Sequence, residues 1–348
     1  MKRALKLARR GYGTVSPNPM VGAVLVKDQR IIGEGYHRAA GRPHAECEAL
    51  SRCREDPRES DLYVNLEPCA HTGRTPPCTQ AIIRAGIKRV IIAGRDPNPQ
   101  VNGKGVAQLR QAGIEVTEGV LEKAATRLNE FFFHHIKTQR PFCALKLALT
   151  LDGKTADRWG GSKWITHPLA RRHVHHLRAG YDAVLTGAQT VRADDPELTV
   201  RLVRGRNPYR VVVSSQSHLD SHAKIVQNNQ DRKTILLTTA EIPVPTSAYE
   251  VIRISSPTHS LTPEQMLDVL AERGFTSVLI EAGHTLSAQF LNSNLLQRIY
   301  LFYGPKILGP GQTPFESISP RPIDKAIEIF PLSFRHFGDT MMIEGEPA

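Results

Sequence analysis

One histidine and two cysteines restrict the fold of this chain more than any other feature of its sequence. His44 begins the segment His44-Ala45-Glu46, Cys69 follows about two dozen residues later, and eight residues separate Cys69 from Cys78. Such a set can hold a tetrahedral Zn²⁺ ion and leave its fourth position open for water, which is typical of a catalytic zinc rather than a structural one. The fold must then bring three positions that are distant in sequence to a single point.

The segments around these residues indicate how the fold does so. An apolar, β-like run over 61–66 ends just before Cys69, and His44 opens a helical pattern. A strand end that faces a helix start is a common ligand position in an α/β sheet. We therefore predict one Zn²⁺ per chain, bound by His44, Cys69 and Cys78. The alternatives are buried thiols, since free cysteine is commonly buried, or a structural zinc with His71 as a further ligand.

Glu46 is predicted to be a catalytic group and not a ligand. It lies two residues after His44, where a carboxylate can take up and return the protons of a metal-activated water. The pattern H-x-E followed by P-C and a second cysteine is typical of the zinc-dependent nucleobase deaminases. In that pattern two residues separate the cysteines, so the eight-residue interval of this chain is a departure from it.

Length and composition favour a two-domain globular protein. The chain has 348 residues, which is long for one hydrophobic core, and 40% of them are hydrophobic. We expect a soluble protein, since no apolar run approaches membrane-spanning length. The basic start over 1–10 lacks the apolar stretch of a secretory signal and predicts a first helix, with a targeting peptide as the alternative. Five cysteines, two assigned to the metal, leave no even disulfide set, which favours the cytoplasm.

The formal charge of +11 is compatible with nucleic acid or with small phosphorylated ligands. The basic residues are scattered, with no cluster beyond Arg171-Arg172-His173, and they do not alternate with aromatic residues as in single-strand binders. We therefore expect small phosphorylated ligands and no nucleic-acid partner.

Strand and helix signals alternate in both halves, as in α/β folds. The first half is predicted to contain a hairpin (21–26 and 30–35), helix 44–54, strand 61–67, helix 76–85, strand 89–93, helix 104–112, strand 114–116 and a helix through Asn129. The polar stretch 137–141 then predicts a linker. The second half is predicted to contain strands 142–148, 183–186, 210–213, 234–237, 278–280 and 298–303, helices near 167–179, 262–273 and 284–292, and a loop with an edge strand within 242–263.

Motifs in both halves resemble, in order, those of the bifunctional deaminase/reductase family of riboflavin biosynthesis. These motifs are Ser16–Gly22, His44-Ala45-Glu46, Leu66–Cys69, Gly73–Cys78, Asp96–Pro99, Leu151–Lys154, Ser162–Thr166, Thr190–Arg201 and Glu281–Gly283. The resemblance implies a cytidine-deaminase-like domain over 1–138, dependent on zinc, followed by a dihydrofolate-reductase-like domain over 141–348, dependent on NADPH.

The resemblance also implies the reactions. The first domain would hydrolytically deaminate 2,5-diamino-6-ribosylamino-4(3H)-pyrimidinone 5′-phosphate. The second would use NADPH to reduce the ribosyl group of the product to a ribityl chain. We further expect a cytoplasmic homo-oligomer, a dimer or tetramer, that binds no membrane.

Three sets of binding residues are implied by the resemblance alone. The deaminase substrate would be bound by Asn18, His71, Arg74, Asp96 and Asn98. NADPH would be bound by Ala148, Trp164, Thr190, Asp194, Ser215, Gly283, His284, Thr285, Leu286, Ser287, Ala288 and Gln289. The reductase substrate would be bound by Ser162, Arg178, Leu198, Arg201 and Glu281. Without the resemblance, Arg74 would read as a solvated loop charge, and the Pro-flanked Asn18, Asp96 and Asn98 as ordinary turn formers.

Three positions depart from the family pattern, all in the reductase half. Gly161 stands where an acidic residue is usual, Ser214 where an aspartate is usual, and His284 where a smaller residue is usual. They leave open the alternative that this half has lost its activity. A further alternative is a zinc deaminase that edits tRNA or another nucleic acid, with a nucleic-acid-binding C-terminal half. The zinc ligands and the charge permit it, whereas the cysteine interval and the motifs of the second half disfavour it.

Overall fold

Short apolar segments of the first 140 residues form a five-stranded sheet, in a computed structural model that describes residues 1–71, 76–99, 101–240 and 247–348. The elements of this first unit, Met1–Arg140, are α1 (Lys2–Ala8), β1 (Gly22–Lys27), β2 (Arg30–Tyr36), α2 (Ala45–Ser51), β3 (Asp61–Val64), α3 (Cys78–Arg84), β4 (Arg89–Ile92), α4 (Lys104–Gln111), β5 (Glu115–Thr117), α5 (Glu122–Leu128) and α6 (Glu130–Thr138). The strand order is β2-β1-β3-β4-β5, with β1 antiparallel to β2 and β3 and the other pairs parallel.

The predicted hairpin is confirmed. Asp28 and Gln29 form its turn, both with positive φ (47° and 59°), as a tight two-residue hairpin requires. Helix α2 then packs closely against β2 because Gly35 has no side chain. A Cβ atom at Gly35 would lie 2.4 Å from the carbonyl oxygen of Ala45. This close approach holds the start of α2, and therefore His44, against the sheet.

The second unit, Pro141–Ala348, is built on a nine-stranded sheet. Its elements are β6 (Phe142–Thr150), β7 (Ala156–Asp157), α7 (Pro168–Gly180), β8 (Ala183–Gly187), α8 (Ala188–Asp194), β9 (Tyr209–Ser214), α9 (Lys224–Gln227), β10 (Thr234–Thr238), β11 (Glu250–Arg253), α10 (Pro263–Glu272), β12 (Ser277–Ile280), α11 (His284–Asn292), β13 (Arg298–Gly304), β14 (Gly311–Gln312), β15 (Ile329–Phe337) and β16 (Thr340–Pro347). The strand order is β11-β10-β9-β8-β12-β6-β13-β16-β15.

The middle of this sheet positions the candidate reductase site. Strands β9, β8, β12, β6 and β13 are all parallel, and their apolar side chains form the main core of the unit. The carboxyl ends of parallel strands meet at one edge of a sheet, where ligands of open α/β sheets bind. The segments after β8, β9 and β12 therefore emerge together at this edge.

Several elements were not predicted from the sequence, among them α6, α8 and the hairpin of β15 and β16. Helix α6 continues to Thr138 and ends at Gln139 in a left-handed conformation, so the first residues of the predicted linker are helical. Helix α8 is short, and its sequence has few apolar residues. The hairpin of β15 and β16 extends the sheet by antiparallel pairing with β13, although most side chains of β15 are exposed and its pattern is weak.

Other predicted elements are confirmed with shifted ends. The predicted edge strand within 242–263 is β11, at the end of the sheet order. Helices α7 and α10 begin at Pro168 and Pro263, each after a residue whose side chain caps the helix N-terminus. No helix among the described residues has the length and apolar character needed to cross a membrane.

Candidate active sites

The three predicted zinc ligands come together in the first unit. His44 is the N-cap of α2, Cys78 is the first residue of α3, and Cys69 lies in the loop after β3. The His44 Nδ1 atom lies 3.5 Å from Cys69 Sγ and 3.3 Å from Cys78 Sγ, and all three ligand atoms lie within 4.8 Å of one another. Zinc bonds of about 2.0–2.3 Å in a tetrahedron place ligand atoms about 3.5–3.8 Å apart, so the cluster fits one Zn²⁺ ion.

The thiol chemistry of the cluster also suits a metal. Hydrogen bonds from Cys78 and His44 lower the pKa of the Cys69 thiol to about 4, although burial opposes this shift. The hydrogen bond with Cys69 raises the pKa of His44 to about 9, and hydrogen bonds with Cys47 and Cys69 raise the pKa of the Cys78 thiol, so the three groups share protons and Cys69 is the one that forms the thiolate. The thiolate is the form of cysteine that binds metal ions. Cysteine and neutral histidine are preferred zinc ligands, so the donor set agrees with the geometry.

Glu46 lies beside the cluster on the first turn of α2. Its side chain is buried, and its Oε2 atom accepts no hydrogen bond from any residue that the structure describes. A buried acceptor without a partner costs free energy, so such an atom indicates a site where a water or ligand binds. Burial, followed by the charge of Cys69, raises the pKa of Glu46 to about 7. A carboxyl group with this pKa can both accept and donate a proton near neutral pH.

Asn18 is held near the cluster by residues that sequence analysis did not identify. Its Nδ2 atom lies 3.1 Å from Nε2 of His37, whose ring packs edge-on against that of His44. Because Nδ1 of His37 lies 3.1 Å from the carbonyl oxygen of Pro43, it donates there and leaves Nε2 as an acceptor. The amide nitrogen of Asn18 therefore faces His37, which leaves its Oδ1 atom on the other side.

Two buried asparagines hold the segment that follows Asn18. Asn129 accepts from the Met20 amide at 2.7 Å and donates to the Met20 carbonyl at 2.9 Å. Asn65 accepts from the Gly22 amide at 2.7 Å and donates to the same Met20 carbonyl at 3.0 Å. Their sequence signal is weak, since each partner lies more than 40 residues away.

Glu67 organises the loop that carries Asp96 and Asn98. This buried carboxylate accepts hydrogen bonds from four backbone amides, those of Asp96, Gly103, Gly105 and Val106, at 2.9–3.3 Å. Asp96 in turn accepts from the Asn98 amide at 2.9 Å. Burial raises the pKa of Asp96 to about 6.

The loop between the cysteines is described only at its ends. His71 is exposed, and Arg74 lies outside the described residues. The substrate-binding roles of both therefore stay predictions.

In the second unit, Glu281 and Arg178 form a mostly buried ion pair. Arg178 donates to both carboxylate oxygens, at 2.6 and 3.0 Å, and Lys146 Nζ lies 3.5 Å from Glu281 Oε2. The exposed fractions of the Glu281, Arg178 and Lys146 side chains are only 9%, 11% and 16%. Burial alone would raise the pKa of Glu281, but the charges of Arg178 and Lys146 outweigh it and lower this pKa to about 2.

Lys146 was not identified from the sequence, although it carried a signal. It is a charged residue within the apolar run of β6, and a half-buried lysine needs a partner in the fold. That partner is Glu281, on the segment after the neighbouring strand β12.

The predicted substrate residues Leu198 and Arg201 lie in the same turn. Arg178 donates to the Thr199 carbonyl at 3.2 Å, and Arg201 donates to Thr199 Oγ1 at 3.3 Å. Arg201 is exposed, whereas Leu198 is buried with φ of 52°. The structure thus brings Arg178, Arg201 and Glu281 into one polar region. Leu198 lies beside them with its side chain buried.

The predicted cofactor residues lie at the carboxyl edge of the parallel strands. Thr190 on α8 accepts a hydrogen bond from the Gly283 amide at 3.0 Å, which joins α8 to the turn before α11. Ser162 donates to Asp194 at 2.7 Å, and Ser215 is exposed just after β9. This open edge, with hydroxyl groups and backbone amides, fits a phosphorylated cofactor.

The other residues predicted to bind the cofactor differ in their exposure to solvent. Trp164 is 57% exposed, and the Arg171 guanidinium lies 4.3 Å from the centre of its ring. Ala148 is half-buried on β6. Within 283–289 the side chains of Leu286, Ser287 and Ala288 are buried, whereas Thr285 is exposed and His284 and Gln289 are half-buried.

Two of the three departures have local explanations. The Gly161 amide donates to Asp157 at 2.8 Å, and a Cβ atom at Gly161 would lie 2.6 Å from the Asp157 carboxylate. An acidic side chain at 161 would therefore meet a like charge. Ser214 accepts from the Gln216 amide at 2.9 Å, a turn contact that aspartate also makes. Nothing in the structure explains His284.

Known proteins are similar to this chain over both units. The family model "Cytidine and deoxycytidylate deaminase zinc-binding region" matches residues 1–94, and the "RibD C-terminal domain" matches residues 141–341. The Riboflavin biosynthesis protein RibD of Aquifex aeolicus is 42% identical over 99% of this chain and 96% of its own length. RibD of Escherichia coli K12 is 43% identical over 89% of this chain and 88% of its own length.

Solved structures agree over the whole chain. A diaminohydroxyphosphoribosylaminopyrimidine deaminase/5-amino-6-(5-phosphoribosylamino)uracil reductase of Thermotoga maritima superposes with a TM-score of 0.93 at 43% identity. The superposition covers 100% of this chain and 97% of that one. One form of Acinetobacter baumannii RibD superposes with a TM-score of 0.91 at 36% identity, with the same coverage.

Proposed function

The chain belongs to the RibD family of riboflavin biosynthesis proteins, and from this premise we propose how the residues of its two units share the work. The protein is a bifunctional enzyme with zinc-dependent deaminase and NADPH-dependent reductase activities. It hydrolytically deaminates 2,5-diamino-6-ribosylamino-4(3H)-pyrimidinone 5′-phosphate and then reduces the ribosyl group to a ribityl chain. The nucleic-acid-editing alternative is not favoured, because the similarity extends over both halves. We assign deamination to residues 1–138 and reduction to residues 141–348.

Deamination is assigned to the cluster of His44, Cys69 and Cys78. These residues would hold Zn²⁺, which would supply an activated water for hydrolysis of the bond between the ring carbon and its amine. Glu46 accepts a proton from the water and returns protons to the ring nitrogen and to the departing ammonia. The Glu46 Oε2 atom is the single observation that carries this assignment, since it is a buried acceptor beside a metal-ligand cluster and has no hydrogen-bond partner among the residues that the structure describes.

Other residues of the first unit are assigned to substrate binding. The Oδ1 atom of Asn18 is held in a fixed orientation by His37, and Glu67 fixes the loop of Asp96 and Asn98. We assign all three to the pyrimidine, together with His71 and Arg74 of the loop between the cysteines. A guanidinium suits a phosphate or a carbonyl acceptor.

Reduction is assigned to the carboxyl edge of the second sheet. NADPH supplies the hydride, so the residues there mainly position the reacting groups. The cofactor is assigned to Ala148, Trp164, Thr190, Asp194, Ser215 and the 283–289 turn. The substrate is assigned to Ser162, Leu198 and Arg201 with the ion pair of Glu281 and Arg178, and we add Lys146 because it shares that ion pair.

We further propose a cytoplasmic homo-oligomer, a dimer or tetramer, without a nucleic-acid partner. All five cysteines are free, as expected in a reducing compartment. Strand β15 is an edge strand with exposed Phe330, Leu332 and Phe334, and such an edge favours pairing with another chain. Light scattering in solution tests the oligomer, and a monomer at micromolar concentration would contradict it. Salt-sensitive retention of RNA would contradict the absence of a nucleic-acid partner.

Mass spectrometry of the products tests the bifunctional assignment. Without NADPH, the zinc-loaded enzyme should convert the diamino substrate only to the aminouracil phosphate that still carries a ribosyl group. With NADPH, the ribityl product should appear and NADPH should be consumed in equal amount. A ribityl product that retains the amine would show that the order of the two reactions is reversed.

A further inference from the structure

An exposed arginine on α8 has no role in the assignments above. Arg192 Nη1 donates to Oε1 of Gln216 at 3.3 Å. Across the described ranges, no carboxylate lies within ion-pair distance of its guanidinium. Arg192 is therefore a surface cation whose recorded hydrogen-bond partner is a neutral amide, and most of its donors face solvent.

The position of Arg192 is more informative than its exposure. It lies on α8 between Thr190 and Asp194, both assigned to the cofactor. Its partner Gln216 directly follows Ser215, the cofactor residue at the end of β9. Strands β8 and β9 are parallel neighbours. The hydrogen bond from Arg192 to Gln216 therefore links the two segments that follow these strands at the edge of the sheet where ligands bind.

The groups around Arg192 form a small set of donors. Ser215 and Gln216 are both exposed, and the backbone turn is fixed by the bond from the Gln216 amide to Ser214 Oγ. A guanidinium that contacts the Gln216 carboxamide, with the exposed Ser215 hydroxyl one residue before it in sequence, provides donors for charge-assisted hydrogen bonds to a phosphate dianion. In the described part of the chain, no carboxylate competes for the guanidinium or repels an anion from it at bonding distance.

We propose that Arg192, assisted by Ser215 and Gln216, binds the 2′-phosphate of NADPH and determines the preference of the reductase for NADPH over NADH. The two cofactors differ only in that phosphate, so a guanidinium that binds it at the adenosine ribose would favour NADPH over NADH. This assignment rests on the proposed cofactor site and adds the residue that selects between the two cofactors.

Two other cations of this edge are already occupied. Lys224 forms an ion pair with Asp195, with Nζ 3.1 Å from Oδ2. Lys163 Nζ donates to the Asp194 carbonyl at 2.8 Å. Both lie near the end of α8, so they provide comparison sites for the same charge change.

The test measures binding by calorimetry on the zinc-loaded full chain, with 2′,5′-ADP, 5′-AMP, NADPH and NADH as probes. Arg192→Gln should weaken 2′,5′-ADP and NADPH by about tenfold or more, because a charge-assisted hydrogen bond is lost. Its affinity for 5′-AMP and NADH should stay within about twofold of wild type. Arg192→Lys should fall between wild type and Arg192→Gln, since it keeps the charge but loses the bidentate geometry.

Lys224→Gln is the matched control and should leave all four affinities within about twofold of wild type. An equal loss of 5′-AMP and 2′,5′-ADP in Arg192→Gln would overturn the proposal, since it would indicate displacement of α8. Loss of phosphate discrimination in Lys163→Gln, but not in Arg192→Gln, would assign the role to Lys163. If wild type binds NADPH and Arg192→Gln keeps its selectivity, only the role of Arg192 fails. If wild type binds neither cofactor, the cofactor site itself is wrong, and this assignment with it.

Discussion

Glu46 in the first unit and Glu281 in the second are both buried carboxylates at candidate active sites, and their surroundings are opposite. Glu46 leaves one oxygen without a hydrogen bond among the described residues, and burial raises its pKa to about 7. Glu281 is paired with Arg178 and Lys146, which lower its pKa to about 2 against the effect of burial.

The difference separates two kinds of chemical work. A group that moves protons must be able to change its charge at neutral pH, so its buried oxygen is left open. A group that binds and orients a substrate is most useful with one fixed charge, so it is paired. The Glu46 oxygen, which has no hydrogen-bond partner in the described ranges, costs stability, whereas the paired Glu281 forms part of the second unit's polar structure.

Removal of a metal ligand has the largest expected effect on activity, and this effect is confined to the first unit. Cys78→Ser should lose its bound zinc and with it deamination, because a three-ligand site depends on every ligand. Reduction of the aminouracil phosphate should be unchanged. Elemental analysis and separate assays of the two reactions measure this, and full zinc content in Cys78→Ser would remove the basis of the metal assignment.

Glu46→Gln should slow ammonia release by about 10²–10⁴-fold, since glutamine has the same shape but accepts no proton at neutral pH. Zinc content should equal that of wild type, because Glu46 is not a ligand. In the full chain the variant should use NADPH with the aminouracil phosphate but not with the diamino compound. Deamination within tenfold of wild type would mean that Glu46 does not move the protons, and equal failure with both substrates would mean that the two sites are not separable.

Glu281→Gln tests the paired member of the comparison. It should lower the free energy of unfolding of the second unit by about 3 kcal/mol, because two mostly buried cations lose their partner. Hydrogen exchange of the amides in β6 and β12 reports this locally. Glu197→Gln, which breaks the exposed pair with Arg201, should change it by less than about 1 kcal/mol. Equal effects of the two variants would show that burial does not distinguish these pairs.

The smallest expected effect is the change with pH in the stability difference between wild type and Glu281→Gln. The pKa shift of Glu281 fixes the direction of this change. The folded-state pKa of Glu281 is about 2, below its ordinary value of 4.5, so the ionised carboxylate stabilises the fold above pH 4.5. That contribution is lost as the pH falls from 4.5 towards 2. The difference in unfolding free energy between wild type and Glu281→Gln should therefore shrink over this range. A difference that stays constant from pH 6 to pH 3 would contradict the pairing.

Much of the metal site could be predicted from the sequence because its signals are local. His44 and Glu46 lie on one helical turn, and Cys69 follows an apolar strand. The residues that support the site could not be predicted in this way. Asn129 contacts Met20, which is 109 residues away, and no local pattern links them.

In the second unit, too, contacts between residues distant in sequence could not be predicted from local patterns. Its central strands were predicted because each is a short apolar run. The hairpin of β15 and β16 was missed, because β15 is mostly exposed and has a weak pattern. It belongs to the sheet only because it pairs with β16, which in turn pairs with β13. Lys146 was missed because its partner, Glu281, is 135 residues away in sequence.

The sequence by itself determined which three residues are candidate zinc ligands, the alternation of strands and helices, and the family to which both halves are similar. Residue type, spacing and hydrophobic period are properties of the chain that require no contacts between distant segments. Only the tertiary structure decided that one oxygen of Glu46 has no hydrogen-bond partner among the described residues and that Glu281 has two cationic partners. Whether a buried polar atom is paired depends on which distant segments pack around it, and that pairing determines which of the two carboxylates can change its charge.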